Sequence, residues 1–73
     1  MAINRIESLV TGTVWKLERQ TGDSVTKGET ILIIESMKME IPIDAPVAGT
    51  LRELLVAEGE SVSEGQVLAV VLS

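Results

Sequence analysis

The sequence contains neither cysteine nor histidine among its 73 residues. Without cysteine there is no disulfide and no thiolate metal ligand, and without histidine there is no imidazole base or ligand. Catalysis by Ser-His or Cys-His pairs is therefore excluded. Trp15 is the only aromatic residue, so the expected core is thin and aliphatic. A domain of this size buries a modest share of its surface and is only marginally stable.

Basic residues are also scarce, since six Lys and Arg stand against eleven Asp and Glu for a net charge of -5. Binding to a phosphate backbone requires a basic face, so nucleic acid is not an expected partner. The longest apolar runs, Ile31 to Ile34 and Val67 to Leu72, are much shorter than a membrane span. The N-terminal MAINRIES lacks the apolar core of a signal peptide. We therefore expect a cytoplasmic protein that does not bind membranes.

The six glycines reveal an internal repeat. They form three pairs, each separated by 37 residues: Gly12 and Gly49, Gly22 and Gly59, and Gly28 and Gly65. With this offset, GTVWKLERQTGDSVTKGETILIIES aligns with GTLRELLVAEGESVSEGQVLAVVLS. The period is typical of a duplicated supersecondary unit. We therefore expect a single domain over residues 1–73 made of two half-repeats, 6–36 and 43–73.

Each half-repeat has the pattern of β structure. Segments such as 12–18 and 30–35 are rich in β-branched residues and bounded by glycine, and no stretch of helical length shows a periodic apolar stripe. Four short strands per half are expected, with glycines at turns that need positive φ. The predicted fold is all-β: a flattened eight-stranded antiparallel barrel or sandwich of two four-stranded sheets, with internal two-fold pseudosymmetry.

The segment between the two halves has an unusual composition. Residues 35–40 read ESMKME, and the connection from the first half to the second is predicted to be a hairpin at Met37-Lys38. Two-residue hairpin turns favour Asn-Gly or Asp-Gly, because both central positions need positive φ. A Met-Lys pair is therefore unfavourable there, which indicates a functional reason for these residues. Shifted by the offset, Lys38 falls at the chain ends, so it should lie opposite the termini.

Structural interpretations of these residues compete with functional ones. A lone lysine is ordinarily a solvated surface charge, yet both methionines other than the initiator flank Lys38. Glu35 and Glu40 could form a paired-carboxylate or metal site, but a solvated role is favoured because the chain has no histidine. Lys16 and Lys27 lack methionine neighbours and are expected to remain unmodified.

Trp15 is a second residue with two interpretations. It could anchor a partner, since tryptophan is frequent at interface centres. Its counterpart under the offset is Arg52, which favours a partly exposed sheet position instead.

The stretches ESMKMEIP and DAPVAGTL, within the glycine-delimited half-repeats, resemble the biotinyl/lipoyl attachment domain family. The likeness covers essentially the whole chain and is greatest to the stand-alone bacterial attachment proteins. The Met-Lys-Met core is typical of the biotinyl branch, whereas lipoyl domains typically have an Asp-Lys-Ala flank. The resemblance implies that Lys38 carries biotin through an amide bond and that Met37 and Met39 are recognised beside it.

The resemblance also implies a function. It predicts a non-catalytic biotin carboxyl carrier that works with a biotin protein ligase, a biotin carboxylase and a carboxyltransferase, and that is a monomer when isolated. A lipoyl carrier, or an acceptor of both biotin and lipoate, is the alternative. An unmodified β-barrel interaction module is a third hypothesis.

Overall fold

Eight short strands form the protein, whose computed structural model describes residues 2–73. They are β1 (Ile3–Glu7), β2 (Gly12–Leu17), β3 (Ser24–Val25), β4 (Thr30–Ser36), β5 (Met39–Asp44), β6 (Gly49–Leu54), β7 (Ser61–Val62) and β8 (Val67–Leu72). The predicted count of four strands per half is confirmed. Over residues 2–73 there is no helix long and apolar enough to cross a membrane.

The strands form two antiparallel four-stranded sheets. One has the order β1-β8-β6-β3 and the other β5-β4-β2-β7. Each sheet takes two strands from each half of the chain, so neither half can complete a sheet alone. The molecule measures 36 × 18 × 18 Å, and the predicted flattened sandwich is confirmed.

The core between the sheets is aliphatic, as the near absence of aromatic residues predicts. Its buried residues are Ile6, Val14, Val25, Ile31, Leu32, Ile34, Ile43, Ala45, Leu51, Val56, Val62, Leu68, Ala69 and Val71. Ser8 is also buried, and its hydroxyl donates to the Val10 carbonyl at 2.6 Å, which satisfies a polar group that would otherwise be costly to bury. Trp15 is 47% exposed at a register shift of β2, as the repeat predicts.

Four tight turns flank the two-residue strands β3 and β7. Gly22 and Gly59 have φ of 98° and 88°, which suits the third position of a type II turn. In the first turn the Gln20 N–H donates to the Asp23 carboxylate at 2.9 Å, and the Asp23 N–H donates to the Gln20 carbonyl at 3.0 Å. The positions 37 residues later make the same two bonds, so the pseudosymmetry extends to hydrogen bonding.

The turn that ends at Glu29 differs from its counterpart in charge. The Glu29 carboxylate accepts from the Thr26 backbone N–H at 2.9 Å, and the equivalent side chain in the second half is the neutral amide of Gln66. This backbone bond, followed by the hydrogen bond and charge of Arg19, lowers the pKa of Glu29 below its ordinary value of 4.5. Glu29 thus contributes a pH-dependent stabilisation that its counterpart lacks.

Glu29→Gln is expected to reduce the loss of stability in acid. A carboxyl whose pKa is lowered by folding stabilises the protein above the unfolded-state pKa, and this contribution disappears as the pH falls through the folded-state value. The variant keeps the turn bond, as Gln66 does, but cannot titrate. Urea midpoints measured at pH 7 and well below pH 4.5 should differ less in Glu29→Gln than in the parent. An equal difference in both proteins would contradict the assignment.

Candidate functional site

Met37 and Lys38 are the two central residues of the turn between β4 and β5. Ser36 pairs with Met39 at the end of the ladder, which leaves a two-residue loop. Met37 has φ of 52° and Lys38 has φ of 65°, and they are the only non-glycine residues with positive φ in the range 2–73. Positive φ at both central positions is the geometry of a type I′ turn. The predicted hairpin is therefore confirmed, including its unfavourable residue choice.

Lys38→Gly is expected to stabilise the fold by about 1 kcal/mol, because glycine adopts the left-handed region without steric cost. Lys16→Gly is the matched control: Lys16 is also an exposed lysine, but it lies in β2 and does not have positive φ. Glycine there should destabilise by about 0.5 to 1 kcal/mol. Urea denaturation of both variants measures the two effects. A loss of stability at both positions would show that the turn imposes no cost on Lys38.

The side chains of this turn project into water. Met37 is 93% exposed and Met39 is 64% exposed, and Lys38 between them is also exposed. The ion pairs within residues 2–73 are Lys16 with Glu18 and Arg19 with Glu29, and neither involves Lys38. The site thus presents a primary amine that another protein can reach from several directions, with an apolar side chain on each side.

Polar contacts fix the base of the hairpin to the neighbouring chain. The Ser36 hydroxyl donates to the Thr11 carbonyl at 2.9 Å, and the Thr11 hydroxyl accepts from the Glu64 N–H at 3.1 Å. Gly12 packs so closely that a Cβ there would lie 2.4 Å from the Glu35 carbonyl oxygen. Ser36 and Thr11 could not be predicted as supports from the sequence, because side-chain hydrogen bonds between distant residues leave no local pattern. The exposed amine of Lys38 therefore stands on a well-anchored hairpin.

The chain ends occupy the position equivalent to this turn. Ala2 and Ser73 exchange backbone hydrogen bonds of 2.8 and 2.9 Å. Shifted by the 37-residue offset, they correspond to Met39 and Ser36, which pair at the end of the hairpin. The hairpin and the termini are thus related by the pseudosymmetry, as the sequence repeat predicts.

A chain of contacts shows that these two places lie at opposite ends of the sandwich. From Ala2, strands β1 and β8 run side by side to Ser8, whose carbonyl accepts from the Gly65 N–H at 2.8 Å. Six residues of strand span roughly 20 Å. Beyond that point Glu64 contacts Thr11, which supports the hairpin. Lys38 therefore lies at the end of the sandwich opposite Ala2 and Ser73.

Glu35 and Glu40 face each other across β4 and β5, one pair below the turn pair. Both are exposed, and like charges directly opposite each other on a sheet are unfavourable. No group of three or more Asp, Glu, His or Cys side chains in the described part of the chain is placed to hold a metal ion. The two carboxylates thus form an acidic surface below Lys38.

The chain is similar in sequence to members of a known protein family. Residues 4–71 match the Biotin_lipoyl family, described as biotin-requiring enzyme. The chain is 47% identical over 57 residues to the biotin/lipoyl attachment protein of Bacillus subtilis, covering 78% of each sequence. It is 45% identical over 65 residues to the dihydrolipoyllysine-residue succinyltransferase component of the 2-oxoglutarate dehydrogenase complex of Staphylococcus saprophyticus, covering 89% of this chain and 15% of that protein.

A solved structure has the same fold. The crystal structure of the urea carboxylase of Kluyveromyces lactis matches 99% of this chain with a TM-score of 0.93 and 32% sequence identity. The matched part is 6% of the carboxylase chain. This chain therefore corresponds to one small domain of that large enzyme.

Proposed function

Because the chain belongs to the biotin/lipoyl attachment family, we propose that it is a biotin carboxyl carrier with biotin joined to the Nζ atom of Lys38. Domains of this family carry biotin or lipoate covalently on a lysine and are not catalytic themselves. The observation that carries the proposal is the turn itself, where Met37, Lys38 and Met39 are exposed at a strained, anchored hairpin tip. Met37 and Lys38 are unfavourable residues for such a turn, which supports the view that they are present because a partner enzyme recognises them.

Attachment requires only the chemistry of a primary amine. The deprotonated Nζ of Lys38 attacks the acyl carbon of an acyl-adenylate held by a ligase, an amide bond forms, AMP leaves and the amine loses a proton. The chain contributes an amine that is accessible and held at a fixed place. The acidic pair of Glu35 and Glu40 lies on the same hairpin, where it is available to a basic ligase surface.

The attached group supplies the carboxyl-transfer chemistry, and this chain supplies position. A tethered group reaches its acceptor at an effective concentration on the order of mM, set by the length of the arm. We propose a biotin carboxylase and a carboxyltransferase as the two partners, which is supported by the carboxylase among the proteins of the same fold. The anchored hairpin keeps the arm at the end of the sandwich away from the chain termini.

A lipoyl carrier is the second candidate. The relative from Staphylococcus saprophyticus, a dihydrolipoyllysine-residue component, is nearly as similar to this chain as the Bacillus attachment protein. The two candidates use the same lysine and the same fold, so the residues beside Lys38 must distinguish them. The apolar thioethers on both sides of Lys38 support biotin as the attached group, because the lipoyl branch typically carries Asp and Ala at these two positions.

The test is acylation of the purified unmodified chain by a biotin protein ligase and by a lipoyl ligase. We expect the biotin ligase to modify the parent chain. The double variant Met37→Asp with Met39→Ala should be biotinylated at least about tenfold more slowly, since a negative charge beside the amine disfavours binding of the biotin ligase. The same double variant should gain lipoyl acceptance. Modification of the parent by the lipoyl ligase alone would contradict the biotin assignment and favour the second candidate.

A further inference from the structure

Two exposed sulfur atoms, those of Met37 and Met39, lie on either side of Lys38. The sequence has no cysteine, and its methionines are Met1, Met37 and Met39. Methionine commonly fills gaps in a core, but Met37 is 93% exposed and Met39 is 64% exposed. Two thioethers in contact with water therefore bracket the amine of the proposed attachment site.

We propose that Met37 and Met39 form an oxidation site, at which hydrogen peroxide converts the thioethers to sulfoxides and thereby prevents acylation of Lys38. The inference rests on the proposed function, because it concerns the surface that the ligase recognises. The sulfur lone pair attacks one peroxide oxygen, the O–O bond breaks and an S–O bond forms. Sulfur loses two electrons, and the peroxide is reduced to water.

The position of the two sulfurs makes oxidation consequential. Met37 is the residue before Lys38 in the turn, and Met39 is the residue after it, paired with Ser36 at the top of the ladder. A ligase that brings Lys38 to an acyl-adenylate must cover both side chains. Oxidation turns an apolar, flexible surface into a polar one, and burying a polar group without a partner is costly. The modified hairpin should therefore bind the ligase poorly.

The fold should survive this modification. The buried core of the described residues is formed by Val, Ile, Leu and Ala and contains no methionine, so sulfoxides at the hairpin tip place no oxygen in it. Trp15 is also exposed and oxidisable, but it lies in β2 and not in the hairpin. Methionine sulfoxide is reduced back by reductases specific for each epimer. Oxidation would thus act as a reversible block on loading the carrier.

The experiment treats the unmodified full chain with hydrogen peroxide, removes the peroxide and measures biotinylation by a purified biotin protein ligase. Peptide mass spectrometry assigns added oxygen to Met1, Met37 and Met39 separately. We expect oxygen on Met37 and Met39, an unchanged melting temperature and a biotinylation rate about tenfold lower. Treatment with both classes of methionine sulfoxide reductase should restore the rate.

Two variants keep the result interpretable. In Met37→Leu with Met39→Leu, whatever its own rate, the ratio of treated to untreated rate should be near one, because leucine has no sulfur. In Trp15→Phe the ratio should fall as in the parent. Equal biotinylation rates for the treated and untreated parent would overturn the oxidation inference and leave the proposed function standing. A lowered ratio of treated to untreated rate in the leucine variant would do the same. If the untreated chain accepted no acyl group from either ligase, both the proposed function and this inference would be wrong.

Discussion

Lys38→Arg will abolish biotinylation of the chain while leaving its stability within about 0.5 kcal/mol of the parent. Arginine keeps the positive charge and the length of the side chain, but its guanidinium stays protonated and does not act as a nucleophile. The side chain at position 38 is exposed and makes no ion pair within residues 2–73. Little stability is therefore lost on substitution. Ligase assays with purified variant and chemical denaturation measure the two quantities.

Lys16→Arg and Lys27→Arg are the controls for this loss. Lys16 lies in β2, 3.6 Å from the Glu18 carboxylate, and Lys27 precedes the turn glycine Gly28. Both are lysines of the same chain without methionine neighbours, so both variants should be modified at the parent rate. Biotin on Lys38→Arg, or its loss from a control, would show that the acceptor amine is elsewhere.

The second large effect is expected at Gly12 and Gly49. A Cβ at Gly12 would lie 2.4 Å from the Glu35 carbonyl oxygen, and a Cβ at Gly49 would lie 2.4 Å from that of Leu72. Backbone atoms cannot move aside as a flexible side chain can, so Gly12→Ala and Gly49→Ala should each destabilise the fold by about 3 kcal/mol. This is a large share of the total stability of so small a domain. Urea denaturation measures both losses.

Gly22→Ala and Gly59→Ala provide the comparison. These glycines have φ of 98° and 88°, but no atom lies within 4 Å of the site of an added Cβ. Only the backbone conformation opposes alanine there, at a cost of about 1 kcal/mol. The losses of stability should therefore be large and similar at Gly12 and Gly49, and small and similar at Gly22 and Gly59. A severe loss at Gly12 with a mild one at Gly49 would contradict the pseudosymmetric packing.

The difference between these glycine pairs shows how far the sequence predicts the fold. All six glycines are equally visible in the repeat, and the positive φ at Gly22 follows from the local turn pattern. The close approach of Gly12 to β4 does not, because it depends on which strands become neighbours. Strand pairing is set by long-range contacts and not by local propensity. The pairing of the two short strands with the other half of the chain, β7 beside β2 and β3 beside β6, is therefore an outcome of packing.

The position of the candidate site could be predicted from the sequence more fully than the pairing of the strands. Lys38 occupies the gap between two repeats, and its turn lacks the Asn-Gly or Asp-Gly that such a turn favours. The structure adds the positive φ of both central residues and the exposure of both methionines. It also adds the support of the hairpin by Ser36 and Thr11, which involves residues 25 apart in the chain. A local pattern cannot contain such a contact.

The intact mass of the protein purified from its own host, followed by fragmentation of the modified peptide, shows whether Lys38 carries biotin. We expect a single biotinyl adduct located on Lys38. A lipoyl adduct on Lys38 would keep the carrier role and contradict the biotin assignment. A biotinyl adduct on Lys16 or Lys27, or a chain that carries no adduct in cells whose other biotin-dependent proteins are loaded, would contradict the account of this hairpin as the attachment site.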